Sequence, residues 1–156
     1  VIQGQTVRAW TAALLTGAAV FACDQWLKWM FFDQIHAEGE AFSYFGGIVR
    51  STLFHNRGIS FNLPLPLWAI ILITGAALGW AIALLIERAK LGKLEACIII
   101  GIFIGGTIGN AYDRLTLGFV RDWLLLFGRS AINLADLAIG GSLLIYLLTQ
   151  GKTSES

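Results

Sequence analysis

Six polar residues carry the chemistry this chain has to offer. Asn110, Asp113, Arg114, Asp122, Asn133 and Asp136 lie inside or between the facing ends of two very apolar segments, within the stretch Gly105–Gly141. Ionisable groups beside hydrophobic runs of lipid length are costly, so they are functional candidates by default. Asp122 precedes Asp136 by 14 residues across a short excursion, enough chain to return beside it. Two carboxylates within hydrogen-bond reach cannot both ionise cheaply. One keeps its proton and the other activates water, the acid–base arrangement of aspartic proteases. The competing reading of Asp122 is an exposed loop carboxylate.

The neighbours fit a supporting role. Asn133 and Asp136 stand at i, i+3, so one helix face carries both and Asn133 can bond near the Asp136 carboxylate. Asp24 and Lys28 stand at i, i+4 and can pair. That pair reads as a self-neutralising device that makes buried charge tolerable, and equally as support for a site.

These residues need elements to hold them. The chain has 156 residues, 56% hydrophobic and 13% charged, against roughly 25% charged in ordinary soluble domains. A soluble protein this apolar could not cover its surface, so the expected class is a membrane α-helical protein of one domain. Four runs approach the length of about 20 residues that crosses a bilayer: Trp10–Phe32, Leu67–Ile86, Leu94–Asp113 and Ala131–Thr149. The ends, Val1–Val7 and Lys152–Ser156, read as frayed tails. A signal-peptide reading of the first run fails because apolar sequence continues well past Cys23. Four alternating spans bring the end of the first, the start of the second, the end of the third and the start of the fourth to one face. Asp24, Lys28, Asn110, Asp113, Asn133 and Asp136 all gather there. Counting from Ala131, Asp136 would sit roughly 8 Å along the last span.

Two loops remain on that face. Asp33–Pro66 is long for a small bundle and is expected to be functional. Its half Gly47–Asn62 reads as a hairpin or small sheet on the membrane surface, turning at Asn56–Gly58, and Pro64 and Pro66 end it. The loop Arg114–Ser130 is expected to add a strand at Gly118–Leu124. The basic link Glu87–Lys93 favours a cytoplasmic assignment for itself and for both termini. The positive charges nonetheless divide five and five once Lys28 is set aside, so this rule alone does not settle orientation. Trp10 and Trp80 fall toward one face of the membrane, and Trp29, Trp68 and Trp123 toward the other. The spacings Gly75-x-x-x-Gly79, Gly101-x-x-x-Gly105 and Gly105-x-x-x-Gly109 suit close packing within the bundle.

Other chemistries find little support. Net charge is +1, which makes no case for nucleic acid. Cys23 and Cys97 match no metal or redox spacing and read as small buried hydrophobes. His36 and His55 are isolated, and the sequence has no H-E-x-x-H, Walker A or G-x-S-x-G pattern. No metal and no cofactor are expected. Two rivals remain open. A transporter would use Asp24, Asp113 and Asp136 as a proton relay, but would spread acids through the membrane depth. A non-catalytic scaffold would tolerate substitution at Asp122 and Asp136.

Five pieces in order resemble the bacterial lipoprotein signal peptidase family, also called signal peptidase II. They are Asp24-Gln-Trp-Leu-Lys28, Asn56-Arg-Gly58-Ile-Ser-Phe61, Gly109-Asn110-Ala-Tyr-Asp113-Arg114, Val120-Arg-Asp122-Trp123 and Asn133-Leu-Ala-Asp136, and with the four spans they cover nearly the whole chain. The resemblance implies four transmembrane helices with a small extracytoplasmic β-subdomain, in a bacterial inner-membrane enzyme with its site toward the outer face. Such an enzyme removes signal peptides from diacylglyceryl-modified prolipoproteins, cutting before the lipidated cysteine. It implies a catalytic dyad of Asp122 and Asp136, with Asn110, Asp113, Arg114 and Asn133 around it. Arg114 would contact substrate or lipid, Asn56 and Gly58 would belong to the sheet that cradles substrate, and Asp24 and Lys28 would form a supporting pair. It also implies inhibition by the cyclic peptide globomycin, and a monomer is expected. Trp123 and Ile132 stand where Phe is common in the family, which bears on fine substrate fit only.

Overall fold

A computed structural model describes residues 2–35, 42–58 and 65–151. Among the described residues the chain forms four α-helices and one small sheet. α1 (Ile2–Leu27) runs into a π-helical continuation, Lys28–Ile35. β1 (Ser43–Tyr44) and β2 (Val49–Asn56) follow. Then come α2 (Leu67–Lys90), α3 (Leu94–Leu117), β3 (Val120–Leu126), β4 (Ser130–Ile132) and α4 (Leu134–Gly151). The expected class holds: apolar helices carrying a small antiparallel sheet.

Three helices, at Gln3–Phe32, Leu67–Lys90 and Leu94–Leu117, are long and apolar enough to cross a membrane, while α4 offers a shorter apolar stretch, Leu134–Thr149. Their outer surfaces carry Leu14, Leu72, Trp68, Trp80, Leu144 and Leu147, all more than half exposed. Such surfaces are satisfied by lipid and not by water. Several expected boundaries move. Helix already begins at Ile2, so residues 2–7 are no frayed tail. α2 continues through Lys90, reducing its link to α3 to Leu91–Lys93, and α3 continues four residues past Asp113. Residues 130–132 are strand, so α4 starts at Leu134 and not at Ala131. Apolar content sees where lipid begins but not where backbone hydrogen bonding ends, which is why the helices outrun the apolar runs.

α3 is the central helix, packing on α1, α2 and α4. Its Gly101 and Gly105 lie against the backbone of α1 at Ala13 and Gly17, a close approach that any side chain would block. Gly109 faces the Asp24 carboxylate. The first glycine pair behaves otherwise: among the described residues nothing lies within 4 Å of where a Cβ would stand at Gly75 or Gly79, so neither marks a close helix contact. Cys97 is buried as expected, but Cys23 is exposed on the outside of α1. α3 stops at Gly118, whose φ of 79° supplies the left-handed conformation of a helix C-cap while its N–H bonds the Arg114 carbonyl at 3.1 Å.

The sheet order is β1-β2-β3-β4, antiparallel throughout. β2 therefore joins the chain before α2 to the chain before α4, with Asn56 opposite Val120 and Phe54 opposite Asp122. The arm expected to pair with β2 beyond Gly58, at 59–62, lies outside the described residues, as do Pro64 and His36. β3 falls where a strand was expected, shifted two residues later. Trp123 is buried on β3 and its indole stacks on Phe31 with centroids 4.5 Å apart. His55 lies in β2 against Phe119 and Phe32.

Candidate active site

The polar residues converge where β3 and the start of α4 meet the ends of α1 and α3. Asn133 is the N-cap of α4 and sits at the middle of the cluster. Its Oδ1 accepts the Asp136 N–H at 2.9 Å, and the Asp136 carboxylate accepts the Asn133 N–H at 3.3 Å. This is a capping box, in which two orphan donors at a helix start are satisfied reciprocally. Asp136 is thus the third residue of α4, at its very mouth, and not 8 Å along a span. The positive end of the helix dipole lies beside its carboxylate.

The Asn133 amide also reaches the other carboxylate. Its Nδ2 donates to Asp122 Oδ1 at 2.7 Å and to Asn110 Oδ1 at 3.0 Å. Asp122 Oδ2 accepts from Asn56 Nδ2 at 3.0 Å, and Asn56 Oδ1 accepts the Gly58 N–H at 3.0 Å. Asp122 is fully buried, so the exposed-loop reading of it is excluded. Burial first, and the neighbouring Asp136 charge second, push its carboxyl up to about 7.

Asn110 links this upper layer to a buried charge cluster. Lys28 Nζ, fully buried, donates to Asn110 Oδ1 at 3.1 Å, and Asn110 Nδ2 donates to Asp136 Oδ1 at 2.8 Å. An ammonium can only donate, so it fixes which way the Asn110 amide faces. The expected Asp24–Lys28 pair forms at 2.7 Å, but Lys28 also reaches Asp113 at 3.3 Å. Asp24 does more than neutralise: its Oδ1 accepts the Ala135 N–H at 3.0 Å, capping the second residue of α4.

Arg114 lines an open pocket between α2, α3 and α4. Asn56, Asn110, Arg114 and Asp136 line it beside the apolar Ile73, Phe103 and Ile139. The guanidinium donates to the Gly58 carbonyl at 2.8 Å, while its buried Nε has no acceptor among the described residues. Asp136 lines this pocket; Asp122 lies behind Asn56 and does not.

All ten residues singled out from sequence therefore gather in one region. Two more were missed. Arg121 pairs with Asp113 at 2.9 Å, and Gln25 accepts from Arg121 at 2.8 Å while donating to Gly109 O and Asp24. An amide inside an apolar span, and an arginine directly beside a candidate catalytic aspartate, were the available signals. Arg121 read instead as one more outer positive charge.

A family model for signal peptidase II matches residues 16–150. A lipoprotein signal peptidase of Syntrophomonas wolfei is 38% identical over 120 residues, covering 74% of this chain and 79% of the relative. One from Geobacillus thermodenitrificans is 29% identical over 139 residues, 85% and 86% of the two chains. Among solved structures, a bacterial membrane enzyme determined in meso at 2.3 Å resolution superposes with a TM-score of 0.79 at 21% identity, over 91% of this chain and 88% of that one.

Proposed function

The chain belongs to the signal peptidase II family, and from that premise we propose that it is an aspartic endopeptidase removing signal peptides from diacylglyceryl-modified prolipoproteins. Cleavage falls before the lipidated cysteine. Asp122 and Asp136 form the catalytic dyad. The observation that carries this reading is Asn133, whose side chain bonds one carboxylate and whose main chain bonds the other.

The mechanism follows from the asymmetry of the pair. Asp136 has the positive end of the α4 dipole beside it, which favours a carboxylate. Asp122, fully buried, holds a proton up to about pH 7. With one proton between them, Asp136 takes a proton from water as the water attacks the scissile carbonyl, and Asp122 gives its proton to the carbonyl oxygen or the departing amine. The Arg114 Nε–H, without an acceptor among the described residues, is available to a substrate carbonyl, and the apolar lining beside it suits an apolar segment of the substrate.

Asn56 and Gly58 hold the substrate side of Asp122; Asn110, Asp113, Asp24 and Lys28 support the dyad from below. The whole chain acts as one membrane peptidase domain and works as a monomer in the bacterial inner membrane. Both termini face the cytoplasm, the site faces outward, and globomycin inhibits it. The basic end of α2, with Arg88 and Lys90, supports that orientation.

The test is cleavage of a diacylglyceryl-modified prolipoprotein by detergent-purified protein. Asp122→Asn and Asp136→Asn abolish release of the signal peptide while leaving a folded, membrane-inserted protein. Full activity in either variant removes the dyad.

A further inference from the structure

Arg121 and Asp122 are consecutive on β3 and so point to opposite faces of the strand. Asp122 faces Asn56 and Asn133. Arg121 turns the other way, into the bundle, and meets Asp113 three times. Its Nη2 lies 2.9 Å from Oδ1, and its Nε and backbone N–H reach Oδ2 at 3.3 and 3.0 Å. The same Nη2 donates to Gln25 Oε1 at 2.8 Å. One side chain thereby ties the strand carrying Asp122 to both α1 and α3.

The charges around this point can be counted among the described residues. Asp24, Asp113, Asp122 and Asp136 face Lys28, Arg114 and Arg121, so four carboxyls meet three fixed cations. His55, opposite Arg121 in the sheet register, is exposed and stands outside this count. Remove Arg121, and Asp113 and Asp24 share Lys28 alone. The ammonium is then drawn from Asn110, whose orientation toward Asp136 it sets.

We propose that Arg121 is a positioning residue for the dyad, acting through Asp113, Lys28 and Asn110 and through the placement of β3. It holds Asp122 in register and keeps Lys28 on Asn110, which orients the amide toward Asp136. The proposal rests on the aspartic-dyad reading for its catalytic half and on geometry alone for its anchoring half.

The experiment compares wild type, Arg121→Gln, Arg121→Lys, Asp113→Asn and the double variant Arg121→Gln/Asp113→Asn. Each is assayed in detergent on a synthetic diacylglyceryl-cysteine peptide bearing a fluorophore and quencher, and each is melted by tryptophan fluorescence. Arg121→Gln lowers kcat about tenfold at pH 7 with KM nearly unchanged, and moves the pH–rate profile upward by roughly half a unit, since opposite charge favours the ionised pair. Arg121→Lys restores the profile but only part of kcat, because an ammonium cannot span a carboxylate in two places. In melting, the two substitutions together cost clearly less than their sum. An unmoved profile in folded Arg121→Gln overturns the proposal, and so does additive melting. If wild type fails to cleave but the melting coupling persists, the peptidase reading fails and the anchor stands.

Discussion

Asn133 and Asp136 close the first turn of α4 on each other, with Asn133 Oδ1 accepting at 2.9 Å from the Asp136 N–H and Asp136 accepting at 3.3 Å from the Asn133 N–H. The candidate catalytic carboxylate is thus part of the helix cap. Its position cannot drift without unwinding the helix start, and the same asparagine holds Asp122 at 2.7 Å. Rigid placement of a reacting group is worth orders of magnitude in rate.

Replacing Asn133 with Ala therefore acts twice. Losing an N-cap costs about 1 kcal/mol, seen as a lower melting temperature in detergent. Cleavage falls on the order of 100-fold, because a misplaced group of about 1 Å has that effect. A variant with lowered melting but normal kcat would separate the cap from the chemistry and remove the linkage argued above.

Asp24 and Lys28 are both fully buried. Stripping one partner from a buried ion pair costs about 3–5 kcal/mol, whereas replacing both with apolar groups can be nearly neutral. Lys28→Met alone and Asp24→Leu alone are each expected to express poorly or melt early, and the double variant to recover much of the loss. It does not recover activity, since Ala135 N–H loses its acceptor and Asn110 its orienting donor. A double variant as unstable as the worse single would show that the cost lies in packing and not in charge.

The convergence of the site was legible because polarity inside apolar runs is rare, and four alternating spans leave few places for it to meet. Asp24, Asn110, Asp113, Asn133 and Asp136 were found that way. The capping box was half visible: the i, i+3 spacing of Asn133 and Asp136 was plain, but the start of α4 depended on β4, and a three-residue strand leaves almost no periodic signal. The register of β2 against β3 was illegible for a different reason. The strands are far apart in sequence, and their register is set by Asn56, Asp122 and the helices beneath. Arg121 escaped because a lone arginine carries no pattern; only Asp113, at the end of α3, gives it meaning.

The glycine spacings make a sharper contrast than sequence allowed. A side chain at Gly105 would collide with the α1 backbone at Gly17, while one at Gly79 meets nothing. Gly105→Val is expected to destabilise by about 1–3 kcal/mol or prevent folding, the range for overpacking. Gly79→Ala is expected to leave melting within about 0.5 kcal/mol of wild type or raise it. A reversed order, measured by melting the two variants side by side, would place the tight helix contact on α2.

The pH dependence follows from Asp122, pushed from the ordinary 3.8 up to about 7 by burial first and the Asp136 charge second. The folded chain holds this proton where the unfolded chain has lost it. The stability it contributes is therefore complete below about pH 4 and declines as pH rises to about 7. Activity requires the same proton, so kcat/KM is expected to fall above about pH 7, approaching tenfold per unit on that limb. The Asn56 amide favours the ionised form by donating to Asp122 Oδ2 at 3.0 Å. Asn56→Ala removes that donor, so the proton is held to higher pH and the alkaline limb moves up. Measuring kcat/KM from pH 5 to 9 for both proteins decides the matter. An alkaline limb that stays in place or moves down in Asn56→Ala would mean that Asp122 does not carry the proton the reaction uses.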